Sequence, residues 1–166
     1  MADPIRSSFS PVIDPHVRVL VCGSLPGERS LAARRYYAHP QNQFWALMGA
    51  VIDVDLSALA YEARLAALLA AGVGLWDAIG SARRVGSADA AIRDEAVNDL
   101  ATLATTLPRL RAIGFNGATA HRLGLRALGQ EAHRWRSVPL PSSSPLHTIG
   151  VTAKLPAWLG LRQWLA

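Results

Sequence analysis

Four short apolar runs punctuate the chain, each followed by a stretch of helical spacing. The first lies in Val17–Cys22, where Val19-Leu20-Val21-Cys22 is unbroken and reads as a buried strand. It stops at Gly23-Ser24-Leu25-Pro26-Gly27, where glycine and proline force a sharp turn. Phe44, Leu47, Met48 and Val51 fall at helical spacing and predict a helix over Phe44–Val54. A second, alanine- and leucine-rich helix is predicted over Ser57–Ala71, ended by Gly72. Val73–Ile79 reads as the second strand, with Asp77 near its end, and Gly80–Asp89 as a loop. A helix capped by Asn98 runs to Leu107, and Pro108 stops it. The third strand is Leu110–Phe115, closed by Asn116-Gly117, and Ala118–Leu128 is helical. Trp135–Leu140 is the fourth strand, Pro139–Pro145 a loop, and Trp158–Leu165 a closing helix. Residues 1–16, with prolines at 4, 11 and 15, read as an extended leader to a single domain that takes up the whole chain.

Strand and helix alternate four times. That pattern predicts an α/β fold: three layers, α/β/α, around a four-stranded parallel sheet covered on both faces. Open sheets of this kind bind ligands outside the carboxyl ends of their strands. Segments 23–27, 116–117 and 141–145 each follow a strand, so they are expected to line one crevice.

The residues near that crevice suggest a chemistry. Tyr36, Tyr37 and His39-Pro40 precede Asn42-Gln43-Phe44-Trp45. Flat rings beside amide side chains suit a pocket that stacks on a nucleobase and reads its edge. The Asn42 amide can accept from a water or donate to a base or sugar oxygen; it can equally cap the helix at Phe44. Asn116 can read a base edge or simply form an Asn-Gly turn, and Ser142, Ser143 and Ser144 can bind phosphates or face water.

GSLPG followed by Ser30-Leu31, then YYAHPQNQFW, resembles motif 1 of the uracil-DNA glycosylase superfamily, and most of all its hypoxanthine (deoxyinosine) branch. The resemblance continues through GLWDAIGSARRVGSADAAI, AIGFNGATA and LPSSSPLHT, nearly the whole chain. It implies a repair enzyme that flips a deaminated base out of DNA and hydrolyses its glycosidic bond. Hypoxanthine comes first among its bases, then uracil or xanthine. Asn42 is implied as the catalytic residue and Phe44 as the ring beneath the base. Tyr37, Asn116, Gly23 and Ser24 would complete the base pocket. Pro26, Ser142, Ser143, Ser144, Pro145 and His147 would face the DNA. The chain also departs from its relatives. Leu25 and Leu140 occupy positions where other branches carry polar catalytic residues, and Leu146-His147 stands where the family has Ala-Asn.

Composition adds limits. Seventeen basic residues against twelve acidic give a net charge of +5, and every basic residue but Lys154 is arginine. That balance permits a polyanionic partner, DNA here, although arginine-rich composition alone would produce it. The single cysteine, Cys22, cannot form an intrachain disulfide or hold an iron–sulfur cluster, and no metal or cofactor is expected. No segment reaches the ~18 apolar residues of a membrane span, so a cytoplasmic, monomeric protein is the expectation. Two other classes remain open: a non-catalytic nucleic-acid-binding module, because two catalytic positions are apolar, and a hydrolase of free nucleosides.

Overall fold

The computed structural model describes residues 3–166. Its centre is a parallel sheet in the order β3 (Val73–Asp77), β2 (Val19–Gly23), β6 (Ala112–Asn116), β7 (Arg136–Leu140). Every residue of β2 is buried, as a strand with neighbours on both edges and helices on both faces must be. Its side chains alternate between two cores. Val19 and Val21 face Phe44, Leu47 and Met48 of α2 (Phe44–Ile52), Leu68 of α3 (Tyr61–Ala70) and Trp158 of α6 (Val151–Leu159). Leu20 and Cys22 face Leu100 and Ala104 of α4 (Leu100–Thr105) and Ala120 and Leu128 of α5 (Ala118–Leu128). A short α1 (Glu28–Ala33) follows β2, and the protein is thus a three-layer α/β/α structure around a four-stranded parallel sheet.

A second sheet was not anticipated. β1 (Ile5–Ser7), β4 (Ile79–Arg83) and β5 (Arg93–Val97) pair antiparallel in the order β1-β4-β5. The leader is therefore partly sheet, and Val12 makes a further bridge to Leu75. The supposed loop over 80–89 is strand as far as Arg83. Its charged and glycine-rich sequence gave no apolar alternation, and β5 is half-exposed and polar, so hydrophobic pattern could not reveal either.

Three helix boundaries also move. The helix at 100–105 is capped by Asp99, whose carboxylate accepts from Thr102 N–H at 3.2 Å and from Thr102 Oγ1 at 2.7 Å. Asn98 instead ties the two sheets together, donating from Nδ2 to the Asp77 carbonyl (2.8 Å) and to Ser8 Oγ (3.2 Å). The stretch 57–71 divides into a 3-10 turn at Leu56–Ala58 and α3. The last helix runs over Val151–Leu159 with Pro156 inside it, where one over Trp158–Leu165 was expected, and Gly160–Trp164 follows as a 3-10 turn. Proline there removes one backbone hydrogen bond. The burial of Trp158, whose Nε1 donates to the Pro141 carbonyl at 3.0 Å, favours keeping the helix whole.

Candidate active site

At the carboxyl edge of the parallel sheet lies a cavity of about 470 Å³, within the usual range for small-ligand sites. Segments 23–27, 116–117 and 142–145 all line it, together with Tyr37, Asn42 and Asp77. The three loops expected to meet do so.

Gly23 ends β2, and any side chain there would have to displace its neighbours. A Cβ would stand 2.7 Å from Asp77 Oδ1 and 3.2 Å from the Tyr37 hydroxyl. Ser24 donates from Oγ to Asp89 Oδ1 at 2.7 Å, which fixes the turn against the segment after β4. The Pro26 carbonyl accepts from the buried Arg84 guanidinium. The Glu28 N–H donates to Ser87 Oγ at 2.9 Å, and that contact gives the R-R-V-G-S segment a place at the rim. Leu25 lines the cavity but packs into an apolar cluster with Ala78, Ile79 and Leu123. Leu140 is core.

Tyr37 takes the left-handed backbone conformation (φ 53°), uncommon for an aromatic residue. Its ring stacks on Phe44, with centroids 3.9 Å apart and planes 16° off parallel, and its carbonyl accepts from Trp45 Nε1 at 3.0 Å. Phe44 itself is fully buried and does not line the cavity. Of the two stacking candidates, Tyr37 is the ring that lines the cavity, and it lies over Phe44, the ring expected beneath the base. Burial, then the nearby Asp77, raises the Tyr37 hydroxyl well above its ordinary pKa, so it stays protonated.

Asn42 lines the cavity and also starts α2, its Oδ1 accepting from Phe44 N–H at 2.9 Å. Among the described residues its Nδ2 makes no hydrogen bond. Asn116, at the end of β6, is nearly buried, and its amide is engaged within the protein. Nδ2 donates to Ser143 Oγ at 2.9 Å and to the Tyr37 hydroxyl at 3.4 Å, while Oδ1 accepts from Ser143 N–H at 2.8 Å. An open donor–acceptor pair on Asn116 is therefore not what this geometry offers.

The serines divide in the same way. Ser143 is buried against Asn116 and cannot reach a phosphate, which corrects its expected DNA-facing place. Ser142 and Ser144 are half-buried, and their Oγ atoms accept from Ser144 N–H and Leu146 N–H, each at 3.1 Å. Pro145, Leu146 and His147 form the rim. Leu146 and His147 are exposed there, and the His147 carbonyl accepts from Lys154 Nζ at 2.9 Å. Lys154 is fully buried, and that burial lowers its pKa.

One group was missed as a site residue. Asp77 stands at the end of β3 with its carboxyl in the cavity wall. An acidic residue closing the apolar strand VGLWD at its carboxyl edge was the available signal. Among the described residues no His/Cys/Asp/Glu group could hold a metal ion, and no helix is long and apolar enough to cross a membrane.

An α/β/α sheet with a crevice of this size at its carboxyl edge, walled by an aromatic ring and amides, suits an enzyme that handles a nucleobase. Residues 10–160 match the sequence profile of the uracil DNA glycosylase superfamily, and the chain belongs to that family. It is an enzyme of the DNA glycosylase class. It is 40% identical over 128 residues to the hypoxanthine DNA glycosylase of Methanosarcina barkeri, a match covering 76% of this chain and 81% of that protein. To the hypoxanthine DNA glycosylase of Methanosarcina acetivorans it is 39% identical over 142 residues, 84% of this chain and 87% of the relative. The solution NMR structure of a Methanosarcina acetivorans protein assigned as a uracil DNA glycosylase superposes with a TM-score of 0.85. That alignment has 34% identity and covers 98% of this chain and 99% of the other.

Proposed function

We propose that the protein excises deaminated bases from DNA by base flipping and water attack on the glycosidic bond, with hypoxanthine as the preferred base ahead of uracil and xanthine. The observation that carries this reading is the Tyr37 ring in the cavity wall, backed by Phe44 and flanked by the free Nδ2 of Asn42. The names of the two Methanosarcina relatives support the choice of base. In this reading Tyr37 supplies the flat surface for the flipped base, and Gly23 lets the backbone approach it. Asn42 orients the water or the sugar. Asn116 acts by holding Ser143, and so the serine loop, in place.

Ser142, Ser144 and His147 serve the backbone of the DNA, and the exposed Leu146 beside them fills the space the flipped base leaves. The reaction is hydrolysis without strand cleavage. Its support is that the chain's only lysine is buried and bonded to a carbonyl, so it offers no amine for a Schiff base. The test is a panel of oligonucleotides bearing inosine, uracil, xanthine or ethenoadenine, each treated with alkali after incubation, beside free deoxyinosine. Release of hypoxanthine from DNA but not from the free nucleoside is expected. No release from any oligonucleotide would return the protein to a binding role.

A further inference from the structure

Asp77 is 4% exposed, lines the cavity, and has a buried Oδ2 with no hydrogen-bond partner among the described residues. A structural carboxyl at that depth is normally bonded, because an unpaired buried polar atom is costly. Its orphan atom therefore marks a place for something the cavity receives. The bare backbone of Gly23 lies beside Oδ1, where any added side chain would collide with it.

The groups around it keep it neutral. Burial and the Asp89 carboxylate beyond the β2 turn push Asp77 up to about 8, against the pull of Arg84 at the end of β4. Arg84 is itself buried, with Nε and Nη1 unpartnered among the described residues, and it forms no ion pair with Asp77. The remaining titratable neighbours, Tyr36 and Tyr37 before α2 and Cys22 on β2, are all raised by burial first and by Asp77 second. None of these can take a proton from it. At neutral pH the site thus holds a carboxylic acid in the cavity wall, with no acceptor for its proton among the described residues.

Resting on the reading that this cavity holds a flipped deaminated purine, we propose that Asp77 is a second catalytic residue, the general acid that protonates the base as it leaves. Hypoxanthine departing unassisted carries away the electron pair of the C1′–N9 bond as an anion. N7 is the most basic nitrogen of the ring and is conjugated to N9. Transfer of the Asp77 proton to N7 lets the same electron pair enter a ring that leaves neutral, as hypoxanthine with a hydrogen on N7. The sugar, cationic at C1′, takes the oxygen of a water. One water proton remains on the new hydroxyl, and the other returns through solvent to the Asp77 carboxylate. The sum is deoxyinosine plus water giving hypoxanthine plus an abasic sugar, with no change of oxidation state. Proton donation to a leaving group contributes about 100-fold or more to rate.

The test is single-turnover release of hypoxanthine by wild type and Asp77→Asn, followed from acid to alkaline pH. Wild type should be fast at neutral pH and slow about tenfold per pH unit above the Asp77 titration. Asp77→Asn should be about 100-fold slower at neutral pH and lack that limb. A rate that climbs through the same range, or an Asp77→Asn enzyme that is slow but keeps the limb, overturns the acid role. Should the variant fail to fold, wild type on DNA carrying 7-deaza-deoxyinosine answers the question. That base has no N7, and release as fast as hypoxanthine overturns the proposal. A wild type that releases uracil but no hypoxanthine overturns the purine reading and this role with it. A wild type active on hypoxanthine beside an equally active Asp77→Asn overturns this role alone.

Discussion

Asn116 and Ser143 exchange two hydrogen bonds, Nδ2 to Oγ and N–H to Oδ1, and so join the end of β6 to the loop after β7. The strand fixes the asparagine, and the asparagine fixes the serine loop. Replacing Asn116 with Ala leaves the buried Ser143 N–H unpaired, which costs about 1–3 kcal/mol. Urea denaturation should show that loss. Ser143→Ala removes one bond only and should cost less. In a double-mutant cycle the two changes should fall short of additive, as expected of direct partners. Additive losses would mean that the two side chains act separately.

Substitution can separate the observed capping contact of Asn42 from the catalytic role proposed for it. Its Oδ1 accepts from Phe44 N–H at the start of α2, a bond that Asp can keep and Ala cannot. Asn42→Ala should lose about 1 kcal/mol of stability, and Asn42→Asp little. Single-turnover excision by Asn42→Ala should drop about 100-fold, as when one oriented polar group is taken from a transition state. If Asn42→Ala loses stability without losing rate, the residue is a cap and nothing more.

Gly23→Ala places a methyl group 2.7 Å from Asp77 Oδ1 and 3.2 Å from the Tyr37 hydroxyl. The open side of both groups is the cavity, so the substitution should destabilise by about 1–3 kcal/mol and push them into it. Excision should fall with binding of lesion DNA, not after it. Normal binding by a folded Gly23→Ala protein would contradict this account.

Asp77 should also make stability depend on pH. Its native carboxyl titrates near 8 and the unfolded one near 3.9, so between those values the unfolded chain has released a proton that the native state still holds. This contribution is complete below the unfolded value and is lost as pH rises through the native one. Asparagine carries no such proton. Thermal melts should therefore show Asp77→Asn gaining on wild type as pH rises toward 8, with the smallest difference in acid. A constant offset between the two proteins across that range would refute the buried neutral acid.

Much of this was legible in the sequence, for reasons visible in particular elements. Val19–Cys22 is apolar throughout because β2 is covered on both faces, and α5 follows its expected bounds because Gly117 and Gly129 stand at its two ends. What escaped was held by contacts between distant segments. β4 pairs with both β1 and β5, and its apolar contribution is only Ile79 and Ala82, three residues apart, which join Leu25 and Leu123 from distant segments. Pro156 is tolerated because Trp158 is anchored beyond it. In the site, residue types were readable and their partners were not. Phe44 and Tyr37 look alike as rings near a base, and only packing decides which one faces the cavity. Asp77 acquires its character from burial and from Asp89, twelve residues further along the chain.

Cys22, the one thiol of the chain, lies wholly within β2, and burial pushes its pKa up. A thiol reacts as its thiolate, so alkylating reagents should leave the folded protein untouched. Labelling of Cys22 then times the opening of the central sheet, since the strand must leave its neighbours before the sulfur can be reached. The same silence makes the wild-type chain a ready background for spectroscopic probes. A cysteine placed at the exposed Val85, outside the cavity lining, would carry a single dye at a known position. The movement of DNA across this surface could then be followed without first removing a native thiol.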